Sequence, residues 1–274
     1  MLNTQQISKI KTMFSNADGL LITAGAGMSI DSGLPDFRGK QGMWQAYPEL
    51  GKQRIEFTSI ANPNTFWKTP RLAWGFYGHR LKLYRDTTPH QGFHLLKKMS
   101  DVLQLPYFIF TSNVDGQFQK VGFDENLIYE CHGSIHHLQC LDVCENKIWS
   151  ADQIQPRIDH IRCEWLDELP QCPHCLSLAR PNILMFDDYD WLSHRTDQQR
   201  QNLEQWLKHH HQPIVIELGA GTAIPTVRNF SERFAPSLIR INPREYQLAE
   251  NQGISIPHNA LHSIQAILEA LQIR

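Results

Sequence analysis

No apolar run in the 274-residue chain approaches the ~20 residues that a membrane-crossing helix needs. Nor does either sign of charge dominate: 26 Lys and Arg stand against 28 Asp and Glu, a net charge of −2. Such a balance gives no electrostatic case for nucleic acid or an anionic membrane as partner. A hydrophobic signal core is missing from the N-terminus, and the first strand-like run begins at Leu20, so no cleaved leader is expected. Internal repeats and low-complexity tracts are missing too. Six cysteines in a chain of this length do not make a disulfide scaffold. What remains is a globular, cytoplasmic protein with one large domain or a large and a small one.

The apolar runs are short and spaced. Leu20–Thr23, Tyr107–Phe110, Leu127–Tyr129, Ile214–Leu218, Leu238–Ile241 and Ile254–Ile256 read as strands. Helical patterns lie between several of them, at Gln91–Met99, Arg200–His209 and Ala260–Leu271, with Asn259 as N-cap of the last. Ile7, Ile10, Met13 and Phe14 are expected to cap the core from an N-terminal helix. Strands alternating with helices predict an α/β fold: a Rossmann-like, doubly wound parallel sheet with its ligand at the carboxyl ends of the strands. Two segments break the alternation. The expected large domain is therefore 1–42, 86–134 and 182–274, and a smaller domain takes the helical segment 43–85 and the cysteine-bearing segment 135–181.

Chemistry-bearing residues cluster just after the strands. Gly25-Ala26-Gly27 follows the first strand, and Gly219-Ala220-Gly221-Thr222-Ala223 follows the fourth. Glycines without a Cβ let a pyrophosphate approach the backbone closely. An ordinary dehydrogenase fingerprint is excluded, because Ile30 stands where the third glycine belongs. Cys140, Cys144, Cys172 and Cys175 form C-x₃-C and C-x₂-C pairs, the pattern of a closed, structural zinc site, with Cys163 and His174 as alternative ligands. Cys131 reads as a small core residue. His132, directly after the third strand, suits a general base because imidazole is largely neutral near pH 7. A histidine satisfying a loop carbonyl is the other reading, and the one given to His136 and His137. Asn113 and Asp115 can hydrogen-bond a polar ligand, or simply form an Asx turn.

Taken together these stretches resemble the sirtuins, the NAD-dependent protein deacylases. Gly25 to Gly39, Thr111-Ser112-Asn113-Val114-Asp115-Gly116, Cys131-His132-Gly133-Ser134, the four cysteines, Gly219 to Ala223, and Asn242 after Leu238–Ile241 follow the family's order from Leu20 to about Ala260. The resemblance implies NAD as co-substrate, a structural zinc and an acylated lysine of a protein or peptide as partner. The products would be nicotinamide, O-acyl-ADP-ribose and free lysine. It implies His132 as base, Asn113 and Asp115 at the nicotinamide and its ribose with Ser112 and Val114, and Phe37 excluding water. It further implies Ala24, Gly25, Ala26, Gly27, Gly219, Gly221 and Thr222 at the pyrophosphate, Asp36 and Arg38 fixing the loop, and Asn242 at the adenosine ribose.

Tyr77 and Arg80 resemble the Tyr-x-x-Arg that some sirtuins use for acidic acyl groups such as succinyl. Their i, i+3 spacing on a helix puts both on one pocket, although an inward aromatic beside an exposed arginine has the same pattern. Arg180 to Asp188 looks like the family's substrate-clamping strand, with Ile183, Met185 and Phe186 as contacts. Asp187 replaces a glycine there, Ser112 a glutamine and Ala223 a serine, which keeps an NAD-dependent ADP-ribosyltransferase or NAD glycohydrolase as the alternative. A non-catalytic NAD-sensing module is disfavoured, since binding alone needs no base at the ribose.

Overall fold

The computed structural model describes residues 2–35, 47–52 and 54–273. Its strands are β1 (Leu20–Ala24), β2 (Tyr107–Thr111), β3 (Ile128–Glu130), β4 (Gly133–Cys140), β5 (Ile148–Ser150), β6 (Ile158–Asp159), β7 (Glu164–Trp165), β8 (Ala179–Ile183), β9 (Ile214–Leu218), β10 (Leu238–Ile241) and β11 (Gly253–Ile256). Six of them form one parallel sheet in the order β11-β10-β9-β1-β2-β3. The chain winds outward from β1 to β3, then returns to build the other half from β9, so the strand order reverses between β1 and β9. Ligands of doubly wound sheets bind at that crevice, outside the carboxyl ends.

Both faces of the sheet are covered, and for that reason β1 and β9 are buried at every position, apolar but for Thr23 and Glu217, rather than alternating. On one face Ile22, Ile109, Ile216 and Ile239 pack with Ile10, Phe93, Met99, Ile264 and Ile267 from the helices Thr4–Ser15, Gln91–Leu103 and Ala260–Ala270. On the other, Leu21, Phe108 and Val215 meet Leu203 and Trp206 of the helix His194–His209. The Asn259 side chain accepts the His262 amide at 3.2 Å, the expected N-cap, a bond of the kind worth ~1 kcal/mol.

The helix His194–His209 begins six residues before the apolar pattern suggests, because its first two turns bury polar Thr196 and Gln199 instead of an apolar stripe. Gln199 accepts the Glu130 amide and so ties this helix to β3. Leu127 belongs to a short 3₁₀ turn capped by Asp124, which shifts the start of β3 to Ile128.

A second apolar core lies beyond the sheet. The helix Pro70–Asp86 contributes Trp74, Phe76, Tyr77 and Leu81, packed with Trp165, Ile183 and Met185. Beside it stand the antiparallel sheet β5-β4-β8 and the ribbon β6-β7. The Trp74 indole donates to the Ala179 carbonyl at 2.9 Å, joining that helix to β8.

One ion pair lies inside the main sheet. Arg240 of β10 is in register with Glu217 of β9, and its Nε and Nη2 reach the two carboxylate oxygens at 2.5 and 3.0 Å. Both side chains are fully buried, and Glu232 meets Arg240 from the rim at 2.8 Å. Removing one partner of such a pair strands a charge. Glu217→Ala is therefore expected to destabilise the protein by about 3–5 kcal/mol, read as a lowered urea midpoint with unchanged slope. A loss below about 1 kcal/mol would mean that Glu232 and water compensate.

Candidate functional site

The two glycine turns meet at the strand-order reversal. A Cβ on Gly27 would lie 2.7 Å from the Gly219 Cα, and one on Gly219, where φ is +60°, would lie 2.3 Å from the Gly27 carbonyl carbon. Only glycine permits that approach. The amide of Gly25 donates to Leu218 and that of Gly27 to Gly219. These two N–H groups therefore hold the turns together and are not aimed at a ligand. Ala24 also stands behind the wall, fully buried, its carbonyl taken by Thr111 and Ser112. Ala26, Gly27, Gly219, Gly221, Thr222 and Asn242 do face a common cavity of about 430 Å³.

The outer side of that cavity is polar. Asn242 donates to the Ala220 carbonyl and accepts the amides of Arg244 and Glu245. The Glu245 carboxylate in turn accepts the Thr222 amide at 3.1 Å and the Thr222 hydroxyl. Glu245 is absent from the sequence reading. An acidic residue three positions after a strand-ending asparagine was the available signal.

A second, smaller cavity of about 50 Å³ holds Ala26, Ser29, Ser112, Asn113, Val114 and Asp115 among its lining. The Asn113 amide group donates to the Gly25 carbonyl at 3.0 Å, so the β2 turn braces the first glycine turn. Asp115 is buried; Ser29 donates to its Oδ2 at 2.7 Å and the Gln117 amide to its Oδ1 at 3.1 Å. Burial nevertheless raises its pKa above the usual carboxylate value, against the lowering by those two hydrogen bonds. Ser29 was missed as a partner, though it lies one helical turn into the glycine stretch.

His132 sits between β3 and β4. Its carbonyl accepts the Leu184 amide at 3.0 Å, and the next residue, Gly133, has φ +77° with the Asn182 carbonyl 2.1 Å from where a Cβ would stand. The chain can reverse there only through glycine. The His132 Nε2 lies 3.4 Å from the Thr226 hydroxyl. A third cavity, about 180 Å³, places His132 with Tyr77, Arg80, Ile183, Met185 and Phe186. Its lining shares Ser112, Val114 and Arg80 with the second cavity and Ile224 with the first. The expected substrate-side residues are thus brought to one space, and the reading of Arg80 as a surface residue falls: it is 8% exposed. His136 instead bonds the Asp115 carbonyl, the bland role expected of it.

Asp187 has a left-handed backbone, with φ +52°, and Asn62 donates to its carboxylate at 3.2 Å. Asx residues tolerate that region better than other side chains. Asp36, Phe37 and Arg38 lie outside the described residues.

Cys140, Cys144, Cys172 and Cys175 come together with all four sulfurs within 4.8 Å of one another. Cys140 and Cys175 are 3.6 Å apart, as are Cys144 and Cys172. Thiolates at ~2.3 Å from a tetrahedral zinc would be ~3.8 Å apart, so this donor set fits zinc with no open position. The alternative ligands are excluded by position. His174 points to Glu145 at 3.1 Å, and the Cys163 carbonyl packs on Gly75 in the second core. Cys131 is only half-buried, packed at the edge of the Trp206 core rather than inside it.

A family model for the Sir2 family matches residues 25–215. The NAD-dependent protein deacylase of Aquifex aeolicus is 30% identical over 171 residues, 62% of this chain and 62% of that protein. The chain thus spans a little over three fifths of the length of the curated relatives it first matches. A Sir2 homologue solved as an NAD complex superposes with a TM-score of 0.69 at 22% identity, covering 99% of this chain and 94% of that one. Sir2Tm bound to a propionylated peptide gives 0.68 at 18% identity, covering 98% and 100%. The chain belongs to the Sir2 family.

Proposed function

We propose that the chain is an NAD-dependent protein-lysine deacylase releasing nicotinamide, O-acyl-ADP-ribose and free lysine. The observation that carries this reading is that three cavities share wall residues, one lined by the glycine turns, one by Asn113 and Asp115, and one by His132. Bound NAD would supply an activated ribose carbon for the acyl oxygen to attack. Around it, Ala26, Gly27, Gly219, Gly221 and Thr222 would line the pyrophosphate, with Ala24 and Gly25 as backing, and Asn242 would meet the adenosine ribose. Asn113, Asp115, Ser112 and Val114 would orient the nicotinamide half. His132 would take a proton from a ribose hydroxyl at Nε2, and Phe37, held by Asp36 and Arg38, would keep water out. The four cysteines would hold a zinc that supplies structure alone. Curated relatives named as deacylases and a neighbour solved with an acylated peptide support the reading. A second core, built mostly from 43–85 and 135–181 and joined by Ile183 and Met185 of the large domain, supports the division into a large domain and a smaller one.

An acidic acyl group is the preferred cargo. Tyr77 and Arg80 line the His132 cavity together, and among the described residues the Tyr77 hydroxyl has no hydrogen-bond partner. Burial raises the Tyr77 pKa, so the phenol is a donor at neutral pH. Arg80→Met is expected to lower kcat/KM for a succinyl-lysine peptide about 10²-fold relative to its acetyl counterpart, the loss of a charge-assisted contact in a dry site. Equal losses on both would remove the acidic-acyl assignment.

One observation favours the alternative, an NAD-dependent ADP-ribosyltransferase or glycohydrolase. The amides of Leu184, Met185 and Phe186 already donate to His132, Asp188 and Ala61, so none is open to an added peptide strand. Mass spectrometry of the ADP-ribose product from a panel of acylated peptides separates the two. Deacylation predicts O-acyl-ADP-ribose; free ADP-ribose or ADP-ribosylated protein, without it, selects the alternative.

A further inference from the structure

Arg80 is an unusual buried cation. Its guanidinium carbon lies 5.3, 5.6 and 5.4 Å from the ring centroids of Phe76, Tyr77 and Tyr84, all on its own helix. The Tyr84 hydroxyl accepts both Nε at 3.1 Å and Nη2 at 2.9 Å. One oxygen gripping two nitrogens fixes the plane of the fork as well as its position. Tyr84 is itself held. Its carbonyl accepts Gln117 Nε2 at 3.2 Å and Lys120 Nζ at 2.8 Å, from the helix that follows Asn113 and Asp115. Lys120 also reaches the carbonyls of Arg85 and Thr87, closing the C-terminal end of the helix Pro70–Asp86. Tyr84 stands with Arg80 on the wall of the smaller cavity, while Arg80 continues into the His132 cavity.

We propose that Tyr84 is the positioning residue for Arg80, setting the guanidinium plane so that it receives an acyl chain ending in a carboxylate. The role rests on the acidic-acyl reading above. Tyr77 and Arg80 touch the acyl end, and Tyr84 acts through Arg80. Losing that grip removes the two bonds that set the plane of a long, four-torsion side chain, and the substrate then has to supply that order at a cost in affinity. The loss therefore falls on KM for the acidic substrate before it falls on kcat.

The experiment compares one peptide carrying succinyl-lysine or acetyl-lysine, with NAD, on the full chain and on Tyr84→Phe and Arg80→Met. Tyr84→Phe is expected to lower the succinyl-to-acetyl ratio of kcat/KM about tenfold, chiefly through KM, for the loss of one bond to a charged group. A merely structural tyrosine would lower both substrates alike. A collapsed ratio in Arg80→Met with an unchanged ratio in Tyr84→Phe overturns the positioning role alone. An unchanged ratio in Arg80→Met overturns the acidic-acyl reading and the positioning role with it. Should Arg80→Met fail to fold, Arg80→Lys replaces it, because lysine keeps the charge but offers no fork to grip, and the same collapse is expected.

Discussion

His132→Ala is expected to lose ~10²-fold or more in turnover of an acyl-lysine peptide while ADP-ribose still binds. The two halves of that result come from different parts of the molecule. The wall of the large cavity is built by the glycine turns and Asn242, and His132 contributes nothing to it. Binding of the nucleotide, followed by calorimetry, should therefore change little. The imidazole stands instead in the third cavity, held by the Leu184 bond to its carbonyl and by Thr226 near its Nε2. A neutral imidazole there is the group able to take a proton near pH 7. Asn at the same position keeps the size without the basicity, and it should lose nearly as much. Unchanged turnover in His132→Ala, with intact binding, would sink the base assignment and leave the histidine a loop brace like His136.

The main sheet was legible because its order follows from local rules. Six apolar runs bounded by glycine, asparagine and proline mark the strands, and catalytic residue types fall just after them. What escaped were contacts that link residues far apart in sequence. Glu245 on Thr222, Ser29 on Asp115 and Arg240 on Glu217 leave no periodic mark, since each is a single polar residue whose partner is chosen by the fold. The role of the glycines shows the same limit. Sequence indicates that Gly25 and Gly27 need the absence of a Cβ, but not that the atoms a Cβ would meet belong to the Gly219 turn. Tyr84 was readable in principle as Arg80 plus four on one helix, a spacing that brings side chains together. The buried polar start of the helix His194–His209 was not, because its inward face carries Thr196 and Gln199 where periodicity seeks leucines.

Stripping the metal, or replacing Cys172 by Ser, should unfold the region around β4, β5 and β8 while the parallel sheet keeps its helical and strand signal. Four thiols converging without an ion would leave this segment with little of its own to hold it. Cys144 and Cys175 are exposed, and the core nearby is shared with the helix Pro70–Asp86 rather than internal to the segment. Zinc binding contributes about 10–16 kcal/mol in isolated zinc-finger peptides, comparable with or above the ~5–15 kcal/mol that holds a whole domain. Limited proteolysis should therefore cut between residues 140 and 175 once a chelator is present, and metal analysis should return about one zinc per chain. The damage should also travel. Strand β4 runs from Gly133, beside His132, to the ligand Cys140, and β8 pairs with it from Ala179 to Ile183 before Leu184 meets the His132 carbonyl. Loosening the cysteine end of that pair loosens the floor of the His132 cavity, whereas the glycine-turn cavity lies on the other sheet. Metal loss should thus raise KM for the acylated peptide well before nucleotide binding weakens. A protein free of zinc that resists protease and keeps both affinities would show that the cysteine cluster stands without an ion.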